Sequence, residues 1–341
     1  MPLRTFSRRS PADGYRVGIV NPLTLVAKEL KAILAERSFP YARIDLIDTT
    51  GTETGTLTEV DGAASVVVAA SDESFAELDL VFFTGPAERN EPWIGRYRDE
   101  EFIAIDLSQV PALAGEGRAV VAGVNDDQLN DDDGLIVSPQ AFVVPVILIL
   151  AALARKFAIG TAAATVTRPA SEFDQAGIDE LFQQTLNVLN LKSFPTTIFD
   201  RQAAFTMYPP EDGVAAERAA GAQLRAILQN VSVSLQLLQA PMFHSNGVSL
   251  FVSLDGQPTE ESVREALARP ASLYVVPEDE AVTTIDAAGK DEVVIGRIAQ
   301  DEANPGAFWI WAAADNLRRG SALNAALVAE ALVDRFAPKP N

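Results

Sequence analysis

The sequence contains no cysteine and a single histidine, His244, among its 341 residues. The absence of thiols excludes disulfides, thiolate metal sites and every mechanism that needs a cysteine nucleophile. One imidazole cannot build a histidine-rich metal cluster, and a serine–histidine–aspartate relay would depend on that one residue. No metal site is therefore predicted.

Basic residues are also scarce, since 27 Lys and Arg stand against 47 Asp and Glu, a net charge of −20. A chain this acidic repels phosphate backbones and anionic membrane surfaces. The densest basic cluster, Arg4, Arg8 and Arg9, lies in a short N-terminal segment. We therefore expect no nucleic-acid partner and no membrane partner.

Long hydrophobic runs are missing too. The longest is Ala141–Ala154, which has 14 residues and contains Pro145, whereas a membrane span needs about 20. This run predicts a buried helix, and Pro145 is compatible with it in the first turn. The first ten residues lack an apolar signal segment, so we expect a cytoplasmic protein.

The first 140 residues alternate between strand and helix patterns. An apolar strand pattern at Tyr15–Val20 is followed by helical periodicity over Leu25–Arg37 and a second strand at Arg43–Asp48. This βαβ order predicts an α/β fold with a doubly wound parallel sheet. Asp61-Gly62 predicts a hairpin between two short strands.

The second half has the pattern of an α+β domain. Its helix at Asp174–Asn190 is predicted to turn Asp179, Glu180 and Gln184 outward. The aromatic strand Ala307–Ala314 fits either a core or an interface, and we favour the core. The last helix, Ser321–Arg335, is strongly amphipathic.

The turn after the first strand is the place where dinucleotide-binding folds put glycines. Here Asn21–Ala27 offers Thr24, whose branched side chain obstructs a pyrophosphate, and Pro22, which lacks an N–H. We favour a structural turn over a nucleotide site. Asp48, at the end of the second strand, fits either a ribose contact or a turn cap, and we favour the cap. The acidic stretch from Asp126 to Gly134 lacks calcium-loop spacing and predicts a solvated loop.

Several segments follow one another in a recognisable order: Val17–Val20 with Glu29-Leu30, Val124-Asn125, Gly134–Pro139, Arg201–Phe205, Ala240-Pro241 and Asp315–Gly320. In their order and spacing over about residues 15 to 336, the chain resembles aspartate-β-semialdehyde dehydrogenase, and in particular the Usg-type homologues of that enzyme.

The resemblance implies a Rossmann-like NAD(P)-binding-type domain over residues 14–140 plus 316–336 and a dimerisation-type domain over 141–315. It also implies chemistry in which a cysteine thiolate attacks a carbonyl, a histidine acts as acid–base, an arginine binds the substrate carboxylate and NADP(H) carries the hydride. A homodimer is the expected assembly, and a heteromer with an active paralogue or with another protein is the alternative.

Each of those family positions is altered in this chain. The nucleophile position falls on Ala141, the arginine position on Gln239 and the histidine position on Asn246, while the glutamine position falls near Thr167. His244, two residues before Asn246, would share its face on a strand and is the remaining catalytic candidate.

The cofactor positions are altered as well, because the family's three glycines fall on Asn21, Thr24 and Ala27. The residues left for a cofactor are Asn21, Thr24, Asp48, Asn316 and Gly320. We expect no cofactor, or NAD or NADP if there is one. The leading hypothesis is an inactive homologue with a binding or assembly role. The alternative is an NAD(P)-dependent oxidoreductase that works without a covalent intermediate on a semialdehyde-like or other small substrate.

Overall fold

The computed structural model describes residues 14–98, 102–130 and 132–336. The chain forms two compact units: one holds the described residues up to Pro139 and from Ser321 onward, and the other is Gln140–Gly320. The segment Asp315–Gly320 thus lies in the second unit. Gly320 N–H donates to the Asp315 carbonyl at 2.8 Å, which closes the segment into a turn of that unit.

The first unit is built on a seven-stranded, entirely parallel sheet, as the strand–helix alternation predicts. Its strand order is β5-β2-β1-β6-β7-β9-β8. The strands are β1 (Tyr15–Val20), β2 (Tyr41–Asp48), β5 (Val68–Ala69), β6 (Leu80–Phe83), β7 (Ile103–Asp106), β8 (Arg118–Ala119) and β9 (Leu135–Val137), with a separate hairpin of β3 (Leu57–Val60) and β4 (Ala63–Val66).

The α-helices in the described part of this unit are α1 (Leu25–Glu36), α2 (Asp72–Phe75), α3 (Ala87–Ile94) and α8 (Leu323–Phe336). Helices α1 and α8 pack on each other and share one apolar cluster with the sheet. A second cluster, which includes Phe75, Phe83 and Phe102, completes the core. The doubly wound α/β prediction is therefore confirmed.

The second unit contains a six-stranded mixed sheet in the order β11-β10-β12-β15-β14-β13. Its strands are β10 (Ile159–Arg168), β11 (Val233–Gln239), β12 (Asn246–Leu254), β13 (Leu273–Val275), β14 (Val293–Gln300) and β15 (Ala307–Ala314). Its helices are α4 (Val144–Ala154), α5 (Asp174–Leu189), α6 (Gly213–Leu228) and α7 (Glu260–Leu267). Helix α4 is the predicted apolar helix, and Pro145 lies in its first turn, where no N–H is needed. Over the described ranges, no helix is both long and apolar enough to cross a bilayer.

The aromatic strand β15 is only partly in the core. Phe308 is fully buried, as predicted, whereas Trp309 is 44% exposed and Trp311 is half-buried. In register with them lie Phe251 and Ser249 of β12, whose side chains are also half-buried. The core assignment was thus wrong for the two tryptophans, which lie on the open face of the sheet.

Helix α5 contains a second correction. Asp179 is exposed, but Glu180 and Gln184 are buried, so the prediction that all three face outward was wrong for two of them. The Glu180 carboxylate accepts the backbone N–H groups of residues 197, 198 and 199 at 2.9 to 3.1 Å. Gln184 accepts those of Ala203 and Ala204. Both side chains are buried because they supply the hydrogen bonds that hold the 195–206 loop.

Candidate functional site

Ala141, the predicted nucleophile position, lies in the turn before α4. Ala141 offers only a methyl group there, and its backbone lies against Gly320: a Cβ built on Gly320 would be 2.7 Å from the Ala141 carbonyl oxygen. Glycine at 320 is therefore required for close backbone packing beside Ala141. This packing explains Gly320, predicted as a cofactor residue, without a ligand.

Gln239 is buried and bonded to an arginine that the sequence analysis missed. Its Oε1 accepts from Arg168 Nε at 3.1 Å, and its Nε2 donates to the Arg168 carbonyl at 3.0 Å. The Arg168 guanidinium also makes a bidentate pair with Asp212 at 2.7 and 2.9 Å and lies 4.5 Å from the centroid of the Phe173 ring. The hydrogen bond from Arg168 lowers the pKa of the Asp212 carboxyl.

These groups line a cavity of about 340 Å³ in the second unit. Tyr208 and Phe199 are further parts of its wall. The sequence placed the nearest family position at Thr167, one residue before Arg168. Adjacent residues of a strand point to opposite faces. An alignment that is uncertain by one residue therefore could not reveal which side chain reaches Gln239.

Asn246 and His244 do not share a face. Asn246 opens β12 and is fully buried, with its Nδ2 donating to the Thr167 carbonyl at 3.0 Å, whereas His244 is exposed in the preceding turn. Ser245 between them has φ of 68°, which breaks the alternation that a strand would impose. The expectation that His244 could stand in for the family's histidine on the same face was therefore wrong.

Glu172 lies close to Asn246 and was not singled out by the sequence. It belongs to a short 3-10 turn, Ala170–Phe173, after β10. Its Oε2 is inaccessible to solvent and has no hydrogen-bond partner. Burial raises the pKa of the Glu172 carboxyl to about 7, and the nearby Arg168 guanidinium and Asn246 amide oppose that rise. A lone glutamate without a motif gives no sequence signal.

Asn316 joins the turns that carry these residues. Its Oδ1 accepts from Ser171 Oγ at 3.1 Å and from Ser245 N–H at 2.9 Å. The structure thus brings together Ser171-Glu172, Ser245-Asn246 and the Asp315–Gly320 turn. Asn316, predicted as a cofactor residue, is a buried acceptor within the unit.

The turn after β1, for which we favoured a structural role over a nucleotide site, is closed by its own side chains. The Asn21 amide bonds the Thr84 carbonyl at 2.8 Å and accepts from Thr49 N–H at 3.0 Å. Thr24 caps α1 by accepting from Ala27 N–H, and its hydroxyl lies 3.0 Å from that of Thr84. The side chains of Asn21 and Thr24 are therefore engaged in hydrogen bonds within this turn.

Asp48 is a turn cap, as favoured. Its two carboxylate oxygens accept the backbone N–H groups of residues 50, 51, 53 and 54 and the hydroxyls of Thr50 and Thr54, at 2.7 to 3.0 Å. Burial alone would raise the pKa of the Asp48 carboxyl, but these hydrogen bonds outweigh it and hold the pKa well below the ordinary value. A ribose hydroxyl would have to displace one of them.

Comparisons with known proteins agree with the architecture. Residues 150–319 match the family of semialdehyde dehydrogenase dimerisation domains. The chain is 25% identical to the aspartate-semialdehyde dehydrogenase of Rickettsia bellii, with 94% of this chain and 98% of that protein covered. It is 29% identical to the USG-1 protein homolog of Azotobacter vinelandii, with 93% and 97% covered.

Among solved structures, a probable aspartate-semialdehyde dehydrogenase from Pseudomonas aeruginosa is similar with a TM-score of 0.88 and 27% identity, covering 95% of this chain and 99% of that one. The fold is therefore that of a semialdehyde dehydrogenase, with a Rossmann-like unit and a dimerisation domain. Residues 150–319 thus belong to the family of semialdehyde dehydrogenase dimerisation domains, and nearly the whole chain is similar to aspartate-semialdehyde dehydrogenases and to USG-1 protein homologs.

Proposed function

We propose that this chain is a cytoplasmic family member that has lost the thioester and hydride chemistry and serves a binding or assembly role. The observation that carries the proposal is Ala141, because a methyl group cannot attack a carbonyl and the sequence holds no cysteine to replace it. Removing one member of a catalytic set costs several powers of ten in rate. Here three positions are changed together.

The other two positions support the same conclusion. Gln239 is committed to Arg168, and Asn246 donates to the Thr167 carbonyl. Neither an amide in place of an arginine nor an amide in place of an imidazole can take over the lost charge or proton transfer. Both side chains have become part of the internal hydrogen-bond network.

The residues of the first βα turn do not fit the pyrophosphate of a nucleotide. Pro22 has no N–H, Thr24 N–H donates to the Asn21 carbonyl at 3.3 Å, and Ala27 N–H donates to the Thr24 hydroxyl at 3.2 Å. A pyrophosphate needs such N–H groups free and needs small side chains to reach them. We therefore derive no step through a nicotinamide cofactor.

A second candidate is an NAD(P)-dependent oxidoreductase that uses no covalent intermediate. The observation that favours it is Glu172, a buried carboxyl beside the histidine-equivalent Asn246, with a pKa of about 7. A group with that pKa can take or give a proton at neutral pH.

A turnover assay together with a titration separates the two candidates. With aspartate semialdehyde, phosphate and NADP, we expect no absorbance change above the blank, because no nucleophile is present. We also expect no heat on titration with millimolar NAD or NADP. If the parent chain shows turnover and Glu172→Gln does not, the second candidate is established. If the turnover of the parent chain is instead abolished by replacing another residue of the second unit, the first candidate is overturned as well.

The partner we propose is a second copy of this chain, with a heteromer with a cysteine-bearing paralogue as the alternative. The dimerisation-domain family supports a homodimer. The open sheet face supplies an apolar surface, where the rings of Phe251 and Trp309 make an edge contact at 5.2 Å between centroids.

Light scattering tests this assembly. We expect the purified chain to have the mass of a dimer and Trp309→Glu to have that of a monomer, because a carboxylate on the buried interface would be desolvated. Leu57→Glu is the matched control, since Leu57 is 68% exposed on the hairpin of the first unit. A monomeric parent chain, or a dimer that tolerates Trp309→Glu, would contradict the proposed surface.

A further inference from the structure

Helix α5 is buried on one side, yet its opposite side is apolar and exposed. The buried side carries Glu180 and Gln184, which bond the loop that follows the helix. On the outward side, Phe182 is 50%, Leu186 41% and Leu189 67% exposed. A surface helix ordinarily turns its polar face outward, and exposed apolar residues are ordinary when they are scattered singly. A contiguous row of them marks an interaction surface.

Four residues of the outward side form a row that we call the α5 stripe: Ile178, Phe182, Thr185 and Leu189. Successive members are four, three and four positions apart. This alternation is the spacing of a coiled-coil seam, in which each side chain packs between those of a second helix. The Thr185 hydroxyl already donates to the Leu181 carbonyl at 2.8 Å, so its methyl group is left for packing. The stripe therefore has the form of a surface that receives a helix.

The charges around the stripe favour an antiparallel helix of the same sequence. The N-terminal part of α5 carries Asp174 and Asp179, whereas Lys192, just beyond its C-terminal end, is the one basic residue between Arg168 and Arg201. An antiparallel copy brings its own Lys192 toward these acids, and the symmetry makes the same contact at the other end. A parallel copy would set the acids beside their own copies, which is unfavourable in a chain of net charge −20.

We propose that the α5 stripe docks on the α5 stripe of a second copy of this chain, antiparallel and across a two-fold axis. An axis through the middle of the stripe sets Phe182 against the partner's Thr185 and Ile178 against the partner's Leu189, and repeats both contacts in reverse. A large ring thus faces a small side chain, whereas a parallel register would set Phe182 against its own copy. The contact is separate from the sheet-face dimer proposed above, and it joins such dimers into larger assemblies.

The contact is expected to be weak. A stable interface buries about 1,600 Å² in total, which one pair of 16-residue helices does not reach. Helix α5 is already folded on its own unit, however, so docking does not have to order it. We therefore expect a dissociation constant of about 100 µM and association in concentrated solution.

Sedimentation equilibrium of the full chain at about 10 µM and about 500 µM tests the proposal. Between these concentrations, the weight-average mass of the parent chain is expected to rise by about 1.5-fold or more. Phe182→Glu and Leu189→Glu are each expected to abolish the rise, because each places a carboxylate in an apolar contact. Gln183→Glu makes an equal change of charge to that of Phe182→Glu at an exposed position beside the stripe and should behave as the parent chain.

Trp309→Glu separates the two surfaces. It is expected to start from a lower mass and still to show the rise, because it leaves α5 unchanged. If the sheet-face dimer does not form, the parent chain starts as a monomer and the rise remains. The failure of one surface can therefore be told from the failure of the other.

Introduced thiols can report the register of the two helices, because the chain has no cysteine of its own. Under mild oxidation at the higher concentration, a mixture of Ile178→Cys and Leu189→Cys chains is expected to form a disulfide-linked pair, since the antiparallel register sets these positions face to face. Neither chain alone should link, because its two thiols would lie about 16 Å apart along the helix axis. A mixture of Gln183→Cys and Leu189→Cys chains is the control and should not link.

The inference is overturned if the mass of the parent chain does not rise with concentration, or if Phe182→Glu and Leu189→Glu rise as the parent chain does. It is also overturned if the mixture of Ile178→Cys and Leu189→Cys chains does not link, or if either chain alone links as readily as the mixture. None of these results affects the turnover assay, so the loss of catalysis and the α5 contact stand or fall separately.

Discussion

Replacing Glu180 by alanine is expected to lower the free energy of unfolding by about 3–5 kcal/mol, the largest effect we predict for a single side chain. The variant leaves three backbone N–H groups, of residues 197 to 199, without their acceptor. Each buried donor that loses its partner costs about 1–3 kcal/mol, and bonds to a carboxylate are at the upper end. Urea denaturation measures the change.

Asp179→Ala is the control for this variant. It removes the same charge from the neighbouring residue of α5, whose exposed carboxylate accepts a hydrogen bond from Gln175, four residues earlier on the helix. A change within about 0.5 kcal/mol is expected. Equal losses in the two variants, or a loss below about 1 kcal/mol in Glu180→Ala, would show that the 195–206 loop does not depend on the carboxylate.

Replacing Asp48 by alanine is expected to cost about 3 kcal/mol at neutral pH. The carboxylate holds four backbone N–H groups and two hydroxyls of the turn after β2, and water can replace only part of these bonds in the half-buried turn. Asp48→Asn keeps one acceptor oxygen, so its stability should lie between that of the parent chain and that of Asp48→Ala. Asp45→Ala removes a half-buried carboxylate of the same strand, paired with Arg43, and should cost less than about 1 kcal/mol.

The contribution of Asp48 also has a definite pH dependence. Its pKa in the folded state is lowered, so its stabilisation is complete above the ordinary aspartate pKa and is lost as the pH falls toward the folded-state value. The stability difference between parent and Asp48→Asn should therefore shrink below about pH 4. A difference that is constant with pH, or a negligible difference at pH 7, would mean that the carboxylate is free for another role, such as a ribose contact.

Hydrophobic periodicity predicted the frame of this protein well. The parallel sheet of the first unit, the hairpin at Asp61-Gly62 and the buried helix with Pro145 in its first turn all follow from local patterns. These features depend on which face of a helix or strand is apolar and on where a backbone N–H is not needed. Both properties can be recognised from the order of residue types in a single sequence.

The polar interior was harder to predict because its partners are far apart in sequence. Glu180 is a charged residue on a helix, and the sequence pattern predicts that it faces solvent. Nothing near it in the sequence reveals the three backbone N–H groups, 17 to 19 residues later, that donate to its carboxylate. The pairing of Arg168 with Gln239 spans 71 residues. Ser245 adopts a left-handed backbone conformation, which shifted His244 away from the face that strand alternation assigned to it.

The proposed loss of covalent chemistry depends most on Ala141, and intact-mass spectrometry tests it directly. The chain is incubated with aspartate semialdehyde and NADP, quenched and weighed beside a cysteine-bearing family member as the positive control. We predict that the mass of this chain stays unchanged while the control gains an acyl adduct. An adduct on any side chain of the second unit, located by peptide mapping, would contradict the loss of covalent chemistry.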